Sequence, residues 1–446
     1  MTWYADPTQG EIPEGWELTT LGDVCESGGG FVQTGPFGSQ LHAYDYVPVG
    51  VPSIMPVNIG ENRIVEDGIK RVSEQDAERL SRHRARPGDI VFSRRGDVER
   101  RSLVRDAEGG WLCGTGCLLV RLGEGIVDPV YASYYLAHPD VRKWIVRHAV
   151  GSTMPNLNTT ILSSVPFALP PLRVQRAIAR ILGALDDKIE LNREMNRTLE
   201  ATAQAIFRSW FVDFDPVVAK ADGRKPFGMT DDLAALFPDR FVESELGPIP
   251  EGWEVSIVVE EFNLTMGQSP PGKTYNSEGQ GYTFYQGRTD FSFRFPSRRV
   301  FCTAPTRFAE EGDTLVSVRA PVGDINLAWE RCAIGRGLSA VRHATGASSF
   351  TYYTMKALEP DFLVFEGEGT LFGSMSKKKF EQIKILQPPQ ELIERFEARA
   401  GPLDQRLRIA WSESQTLAAL RDLLLPKLLS GEVRVAEAED AAEALL

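Results

Sequence analysis

The stretch LPPLRVQRAIARILGALDDKIELNREMN, residues 169–196, decides the fold, because a double proline precedes a long heptad pattern. From Ile178 onward, the pattern positions follow one another at alternating steps of four and three residues, the spacing of a coiled-coil seam. Asn192 and Asn196 cost stability on such a seam, but polar seam residues commonly fix the register and the partner. The pattern predicts a helix of about 60 Å, at 1.5 Å per residue, that packs against another helix. The seam positions are Ile178, Leu182, Leu185, Ile189, Asn192, Asn196, Leu199, Ala203, Ile206 and Trp210.

A second seam follows another double proline and keeps the same register at an offset of 218 residues (178 to 396). Pro402 and Pro426 are expected to kink or end parts of this second helix. The simplest arrangement is two long helices packed antiparallel within one chain. The second seam consists of Phe396, Ala400, Leu403, Leu407, Ala410, Ser414, Leu417, Arg421, Leu424 and Leu428.

The segments before the helices are also repeated. IPEGWE at residues 12–17 recurs at 249–254, and PGDIVFSRRG at 87–96 is echoed by EGDTLVSVRA at 311–320. Gly151-Ser152 recurs as Gly369-Thr370. The offsets shrink in order along the chain, as one duplicated unit gives after loop deletions in its second copy. Short β-rich runs and helical spacing occur together in each copy, so the predicted fold class is α+β: a tandem pseudo-repeat of two mixed α/β domains, each followed by a long helix.

Composition indicates a soluble, cytoplasmic, multidomain protein. The chain has 446 residues, 42% of them hydrophobic and 25% charged, with no run long enough to span a membrane and no signal peptide at its start. Five cysteines with one close pair, Cys113 and Cys117, favour reduced core thiols over disulfides or a zinc site. The net charge of −12 hides basic islands at residues 79–105, 294–307 and 377–379. Such islands can bind a polyanion, and solvated charged faces are the alternative.

Three short patterns imitate catalytic motifs. GQSPPGKT, residues 267–274, has the letters of a phosphate-binding loop, but two prolines remove backbone donors and no helical pattern follows. FEGEG, residues 365–369, matches a methyl-donor signature, but the [Asn/Asp]-Pro-Pro-[Tyr/Phe] motif that such enzymes need is missing from the sequence. Asp186-Asp187-Lys188 resembles the end of a nuclease site and lacks its upstream acid. We expect all three to be non-catalytic; a methyltransferase or a nucleotide-driven enzyme remains the alternative function.

Over nearly its whole length the chain resembles the specificity subunits of type I restriction–modification enzymes. The resemblance rests on QTGPFGSQL (33–41), GSTMPNLN (151–158), the stretch 169–196, IFRSWFVDFDPV (206–217), ALFPDRFVESELGPIPEGW (235–253) and LRDLLLPKLLSGEV (420–433). It implies two target-recognition domains that each read half of a bipartite, asymmetric double-stranded DNA sequence, and paired helices that hold them apart. The resemblance also places Gly267, Ser269 and Pro270 in a turn that opens the second recognition domain.

The resemblance implies a non-catalytic scaffold for phage defence by DNA methylation and cleavage. Two methyltransferase subunits and the restriction (translocase) subunits would be its partners, and S-adenosylmethionine, ATP and magnesium would bind to those partners rather than to this chain. The expected divisions are a first recognition domain (1–168), a first helix (169–215), a connector (216–246), a second recognition domain (247–386), a second helix (387–432) and an acidic tail (433–446).

Candidate DNA contacts are side chains that pair with base edges or neutralise phosphates. Aromatic and leucine residues at the distal helix ends are candidates for partner docking, with packing on the chain's own domains as the alternative. The candidate DNA contacts are Gln33, Gln40, Arg82, Arg84, Arg86, Arg94, Arg95 and Asn156 in the first domain, and Lys273, Tyr275, Gln286, Arg288, Arg319, Ser374, Lys377, Lys378 and Lys379 in the second. The docking candidates are Phe207, Trp210, Phe211, Phe214, Leu424, Leu425 and Leu428.

Overall fold

The structure is a computed structural model that describes residues 13–151, 153–366, 373–435 and 437–438. Its contacts divide the chain into two compact units. One contains Met1–Leu191 with Glu413–Leu446, and the other contains Asn192–Ser412. Both boundaries between the units fall inside a long helix.

The first unit contains the first mixed α/β domain. Strands β2, β9, β6 and β7 form an antiparallel sheet in that order, β3, β5, β4 and β8 form a second sheet, and β1 pairs with β10. The elements are β1 (Glu17–Thr20), α1 (Leu21–Ser27), β2 (Gly29–Thr34), β3 (Tyr46–Val47), β4 (Val51–Ile54), β5 (Lys70–Val72), α2 (Glu74–Arg79), β6 (Ile90–Ser93), β7 (Arg101–Leu103), β8 (Leu112–Cys113), β9 (Cys117–Gly123), α3 (Pro129–Tyr135), α4 (Pro139–His148), α5 (Thr159–Ser163) and β10 (Pro166–Leu169). The first long helix, α6, spans Leu172–Phe211.

The second unit repeats this arrangement. Strands β14, β22, β19 and β20 form the four-stranded sheet, β15, β17, β16, β21 and β18 form the other, and β13 pairs with β23. The elements are α7 (Asp215–Ala221), α8 (Asp231–Ala235), β11 (Phe241–Ser244), β12 (Gly247–Pro250), β13 (Glu254–Ile257), α9 (Val258–Glu261), β14 (Phe262–Met266), β15 (Tyr275–Asn276), β16 (Tyr282–Tyr285), β17 (Phe301–Cys302), β18 (Phe308–Ala309), β19 (Thr314–Ser317), β20 (Ile325–Leu327), β21 (Cys332–Ile334), β22 (Leu338–His343), α10 (Ser348–Ala357), α11 (Glu359–Leu363), α12 (Lys377–Glu381) and β23 (Lys384–Gln387). The second long helix, α13, spans Gln390–Leu429.

The two domains share register as well as strand order. In each, one short strand pairs in parallel across the second sheet: β4 with β8 in the first domain and β16 with β21 in the second. Each domain is also closed by an antiparallel pair between its first strand and the strand just before its long helix. The predicted duplication and mixed α/β fold are therefore visible in the backbone.

Most seam residues of both long helices are buried. In the first unit, the start of α6 and the end of α13 enter one hydrophobic cluster with the core of the first domain. In the second unit, the end of α6 and the start of α13 enter one cluster with the core of the second domain. The polar seam residues Asn192, Asn196 and Ser414 are buried as well. The apolar members from the helices are Ile178, Leu182, Leu185, Ile189, Leu417, Leu424 and Leu428 in the first unit, and Ala203, Phe207, Trp210, Phe211, Leu392, Phe396 and Ala400 in the second.

One expectation is corrected here, and another is corrected in part. The helix α13 continues through Pro402 and Pro426, so neither proline ends it, and a kink at either proline stays a prediction. The docking candidates Phe207, Trp210, Phe211, Leu424, Leu425 and Leu428 are each at most 8% exposed, and Phe214 packs partly buried against the second cluster. Because these side chains form the chain's own core, they leave little apolar surface for a partner.

The cysteines agree with the composition. All five cysteines are free and buried, and burial raises the pKa of both the Cys113 and the Cys117 thiol. In the part of the chain that the structure describes, no helix is both long and apolar enough to cross a membrane. The end of the expected acidic tail, residues 439–446, lies outside the described residues.

Candidate nucleic-acid interface

Four loops of the first domain meet where strands of its four-stranded sheet begin or end. One loop follows β2, one follows β6, one precedes β9 and one precedes α5. The N–H of Arg94 donates to the carbonyl of Gly116 at 2.8 Å, and the N–H of Leu157 donates to the carbonyl of Arg94 at 2.8 Å. An isolated antiparallel bridge then pairs Arg95 with Asn156. Backbone bonds hold these loops together, so their side chains are free to vary.

The second domain makes the same bonds with different residues. The N–H of Val318 donates to the carbonyl of Gly337 at 2.9 Å, and the N–H of Met375 donates to the carbonyl of Val318 at 2.9 Å. The corresponding bridge pairs Arg319 with Ser374. The structure thus places Arg95 with Asn156, and Arg319 with Ser374, at equivalent points of the repeat.

One glycine per domain allows the loops to approach. A Cβ atom on Gly35 would lie 2.1 Å from the carbonyl oxygen of Gly114, and one on Gly267 would lie 2.1 Å from that of Gly335. Close packing against this carbonyl therefore accounts for the first glycine of GQSPPGKT. The loop leads into a three-residue 3-10 helix, Gly272–Thr274, and then a strand. Since no α-helix follows, the loop lacks the helix N-terminus on which phosphate binding depends.

The side chains on the bridged loops have polar groups suited to base edges or phosphates. Arg95, Arg319 and Ser374 are exposed, while Arg94 and Asn156 are half-buried. The guanidinium of Arg94 lies 5.8 Å from the centre of the Phe37 ring. Within the described residues, Nε of Arg94 and Oδ1 of Asn156 have no hydrogen-bond partner.

Sequence reasoning missed Arg336, which is exposed on the loop before β22. Its N–H donates to the hydroxyl oxygen of Ser269 at 3.3 Å, so it lies beside the turn that begins at Gly267. The signal was available, because IGRGL at residues 334–338 repeats CGTGC at residues 113–117 and aligns Arg336 with Thr115. The residues shared by the two copies define the repeat, whereas this arginine differs between them.

A second basic region of the first domain surrounds a surface cavity of about 510 Å³ lined by Gln33, Arg82, Arg84, Arg86 and others. Nε2 of Gln33 donates to the carbonyl of Arg82 at 2.7 Å, so this amide holds the arginine loop. Arg84 pairs with Glu74. Arg82 and Arg86 are exposed in this region.

The histidine in this loop adds no charge near neutral pH. His83 is buried between Arg82 and Arg84 in the sequence, and burial lowers the pKa of its imidazole. The neighbouring charge of Arg82 lowers that pKa further.

Several remaining candidates hold the protein's own structure. Oε1 of Gln40 accepts from the N–H of Phe37 at 3.0 Å, and the Tyr275 hydroxyl donates to the carbonyl of Pro270 at 2.7 Å. Nε of Arg288 lies 2.9 Å from Oδ2 of Asp324.

The other candidates of the second domain lie at the surface. Lys273, Gln286 and Lys378 are exposed. Lys377 pairs with Glu381 at 3.4 Å, and Nζ of Lys379 lies 5.3 Å from the Phe365 ring centre.

The basic island at residues 294–307 is largely neutralised. Arg299 lies 2.9 Å from Asp290, and Arg298 lies 2.5 Å from Glu330. Arg294 is only 1% exposed and faces acidic side chains. Three of the four arginines of this island therefore face acidic side chains of the protein itself.

The short patterns that resemble catalytic motifs form no metal site in the described residues. Asp186 accepts from Arg421 at 2.6 Å and from the Tyr134 hydroxyl at 2.5 Å, so it belongs to an ion-pair network. Across the described ranges, no group of three or more His, Cys, Asp or Glu side chains could hold a metal ion. Residues 367–369 of FEGEG lie outside the described residues.

Comparisons with known proteins show the family to which the chain is similar. The family described as "Type I restriction modification DNA specificity domain" matches residues 13–201. A putative type I restriction enzyme MjaX specificity subunit from Methanocaldococcus jannaschii is 30% identical over 437 residues, covering 96% of this chain and 95% of the relative. The type I restriction enzyme HindI specificity subunit from Haemophilus influenzae is 25% identical over 447 residues, covering 86% and 95% respectively. The crystal structure of a type I system S subunit from M. genitalium has a TM-score of 0.55 at 18% identity, covers 94% of this chain and 96% of its own, and supports the fold.

We expect Gly267→Ala to destabilise the protein, because its Cβ would lie 2.1 Å from a backbone carbonyl oxygen that must move. Forcing extra volume into a packed site costs about 1–3 kcal/mol. The matched control is Gly272→Ala in the same loop, whose Cβ would have no heavy atom within 4 Å. Thermal unfolding of both variants checks the expectation, and equal melting temperatures would contradict the close approach.

Proposed function

The chain belongs to the family of type I restriction–modification DNA specificity subunits, and from this membership we propose that it reads a bipartite, asymmetric DNA sequence with one half-site per recognition domain. The observation that carries the proposal is the repeated loop bridge. Its backbone bonds are the same in both domains, whereas it presents Arg95 and Asn156 in one and Arg319 and Ser374 in the other. Equivalent positions with different side chains suit two half-sites of different sequence.

The chemistry of these side chains matches direct readout in the major groove. Arginine pairs in a bidentate manner with guanine, asparagine does so with adenine, and serine accepts or donates at several bases. Arg82 and Arg86 in the first domain, and Lys273 and Arg336 in the second, would contact phosphates, which fix position without reading sequence. Because these cations are exposed islands on a chain of net charge −12, binding should concentrate at the islands rather than spread over the surface.

The two long helices are proposed to pair as an antiparallel coiled coil that sets the spacer between the half-sites. The support is the membership of the two hydrophobic clusters. The first unit combines the start of α6 with the end of α13, and the second combines the end of α6 with the start of α13. Two helices can share both clusters in this order when they run in opposite directions.

Two methyltransferase subunits and the restriction subunits are the proposed partners on this scaffold, acting with it on DNA in the cytoplasm. S-adenosylmethionine, ATP and magnesium would bind to those subunits. The support within this chain comes from the three patterns that resemble catalytic motifs. Packing accounts for the loop at residues 267–274, an ion pair accounts for Asp186, and FEGEG lacks the companion motif that a methyltransferase needs. The alternative, a self-contained methyltransferase or a nucleotide-driven enzyme, would need one of these motifs to bind its ligand.

Calorimetry on the full-length chain separates the two functions. We expect no binding of ATP at millimolar ligand, because the loop at residues 267–274 ends in a 3-10 turn that a strand follows. We expect none of S-adenosylmethionine either, because the [Asn/Asp]-Pro-Pro-[Tyr/Phe] motif is missing from the sequence. The chain with its methyltransferase subunits is the positive control for S-adenosylmethionine. Saturable binding of either ligand to the chain alone would favour the enzyme.

Single substitutions on the bridge test the reading of DNA. Arg319→Ala should cost about 1–3 kcal/mol of binding and relax specificity in one half-site, since a bidentate base contact is worth that amount. Arg95→Ala should do the same in the other half-site. The control is Arg406→Ala, an exposed arginine on α13 away from the loops. Methylome sequencing of a host that carries each variant with the methyltransferase gives both half-sites directly, and relaxation of both halves by one variant would contradict independent reading.

The coiled-coil proposal is tested by helix length. One heptad inserted between Asn192 and Leu199, with a matching heptad between Ala410 and Leu417, keeps the seam and adds about 10 Å. At about 3.4 Å per base pair, the spacer should lengthen by roughly three base pairs. Insertion of four residues breaks the register and should cost more activity than the heptad does. An unchanged spacer in a folded, active double insertion would show that the helices do not set it.

A further inference from the structure

A charge cluster around the buried Arg294 lies in the second unit. The guanidinium of Arg294, on the segment between β16 and β17, is stacked 3.4 Å from the ring centre of Tyr352 on α10. One of its terminal nitrogens lies 2.7 Å from Oδ1 of Asp404 on α13. The other lies 3.8 Å from Oε1 of Glu200 on α6. One side chain of the recognition domain therefore contacts an acid on each of the two long helices.

The remaining groups that face the cluster complete its charge balance. Glu200 accepts from Nζ of Lys356 at 2.8 Å and from the hydroxyl of Tyr352 at 3.2 Å. The hydroxyl of Tyr353 donates to Asp404 at 3.2 Å. Two cations thus face two carboxylates in a site where Glu200 is 5% exposed and Arg294 is 1% exposed. Displacing the domain on the helices would leave at least one of these charges buried and unpaired, which is costly.

The first unit has a related cluster in which a long helix, rather than the recognition domain, supplies the arginine. Asp186 and Tyr134 precede Asp404 and Tyr352 by the repeat offset of 218 residues, and the Tyr134 hydroxyl donates to Asp186 at 2.5 Å. Here the cation is Arg421, which comes from α13 and lies 2.6 Å from Asp186. The recognition domain contributes an acid, Glu61, at 3.1 Å from Arg421. The arginine that pairs with Asp186 therefore comes from a helix, whereas the arginine that pairs with Asp404 comes from the recognition domain.

We propose that Arg294 is a positioning residue that fixes the placement of the second recognition domain on the two long helices, and so determines how strictly the second half-site and its spacing are read. The inference rests on the proposed function. It adds a specificity role for a residue that contacts no base, because a buried charge cluster admits fewer domain placements than apolar packing does. Arg294 acts through the position of the loops that carry Arg319 and Ser374.

The test uses a matched pair of isosteric variants, Asp404→Asn and Asp186→Asn, in the complete complex with its methyltransferase subunits. Asp404 and Asp186 are repeat equivalents with similar side-chain exposure, 15% and 11%. Methylome sequencing should show, for Asp404→Asn, a severalfold rise in methylation of sites with a changed second half-site or a spacer altered by one base pair. The first half-site should remain strict. Asp186→Asn should relax the first half-site instead.

A purely structural role would lower methylation at all sites without altering the motif or the spacer, and that result would overturn the proposal. Equal relaxation of both half-sites by Asp404→Asn would also overturn it. Arg294→Lys is the second variant, because lysine keeps the charge but not the planar stacking and forked geometry. It should give a weaker relaxation of the second half-site, and loss of folding by both Asp404→Asn and Arg294→Lys would overturn a positioning role. If the unmodified complex methylates no bipartite sequence, the proposed function itself fails, a result distinct from the others.

Discussion

The burial of the two helical seams is the constraint on which the rest of the structure depends. In each unit, half of each long helix enters the same hydrophobic cluster as the core of a recognition domain. Domain folding and helix packing are therefore one hydrophobic process, in which each fully buried leucine or isoleucine contributes about 1.5–3 kcal/mol. Apolar burial alone would tolerate a shifted register. The buried Asn192, Asn196 and Glu200 do not, because a shift would place their polar groups against apolar neighbours.

In the bridged loops of the two domains, the backbone geometry is the same although the side chains differ. Gly35 and Gly267 allow the same close approach to a carbonyl, and the same two backbone bonds hold the bridged loops of both domains. Since neither feature depends on the other side chains of the loops, the polar residues on them can change without loss of the loop geometry. This separation is what a pair of domains needs when both have one architecture and each must recognise a different base sequence.

The sequence predicted the features that depend on local spacing. The heptad steps predicted both helices, and the shrinking offsets predicted the duplication. Both signals can be read from short stretches of sequence without knowing which side chains meet in the fold. Features that depend on distant partners were not predictable. Arg294 was assigned to an exposed basic island, although Glu200 and Asp404, each about a hundred residues away in the chain, bury its charge. The aromatic residues at the end of α6 were similar: heptad spacing shows that Trp210 faces a neighbour, but not whether this neighbour belongs to the same chain.

The charge clusters concern how each recognition domain is held on the long helices. Replacing a buried ion pair with apolar residues is often neutral or stabilising, so stability alone does not account for a cluster such as that of Arg294. Its two counterparts on the helices, Glu200 and Asp404, would be left unpaired by a domain that offers an acid at this position, as the first domain does with Glu61. The two clusters therefore differ in which element supplies the arginine: the recognition domain supplies Arg294, and helix α13 supplies Arg421. In a chain built from two copies of one fold, this electrostatic difference distinguishes positions that hydrophobic packing alone would treat as equivalent.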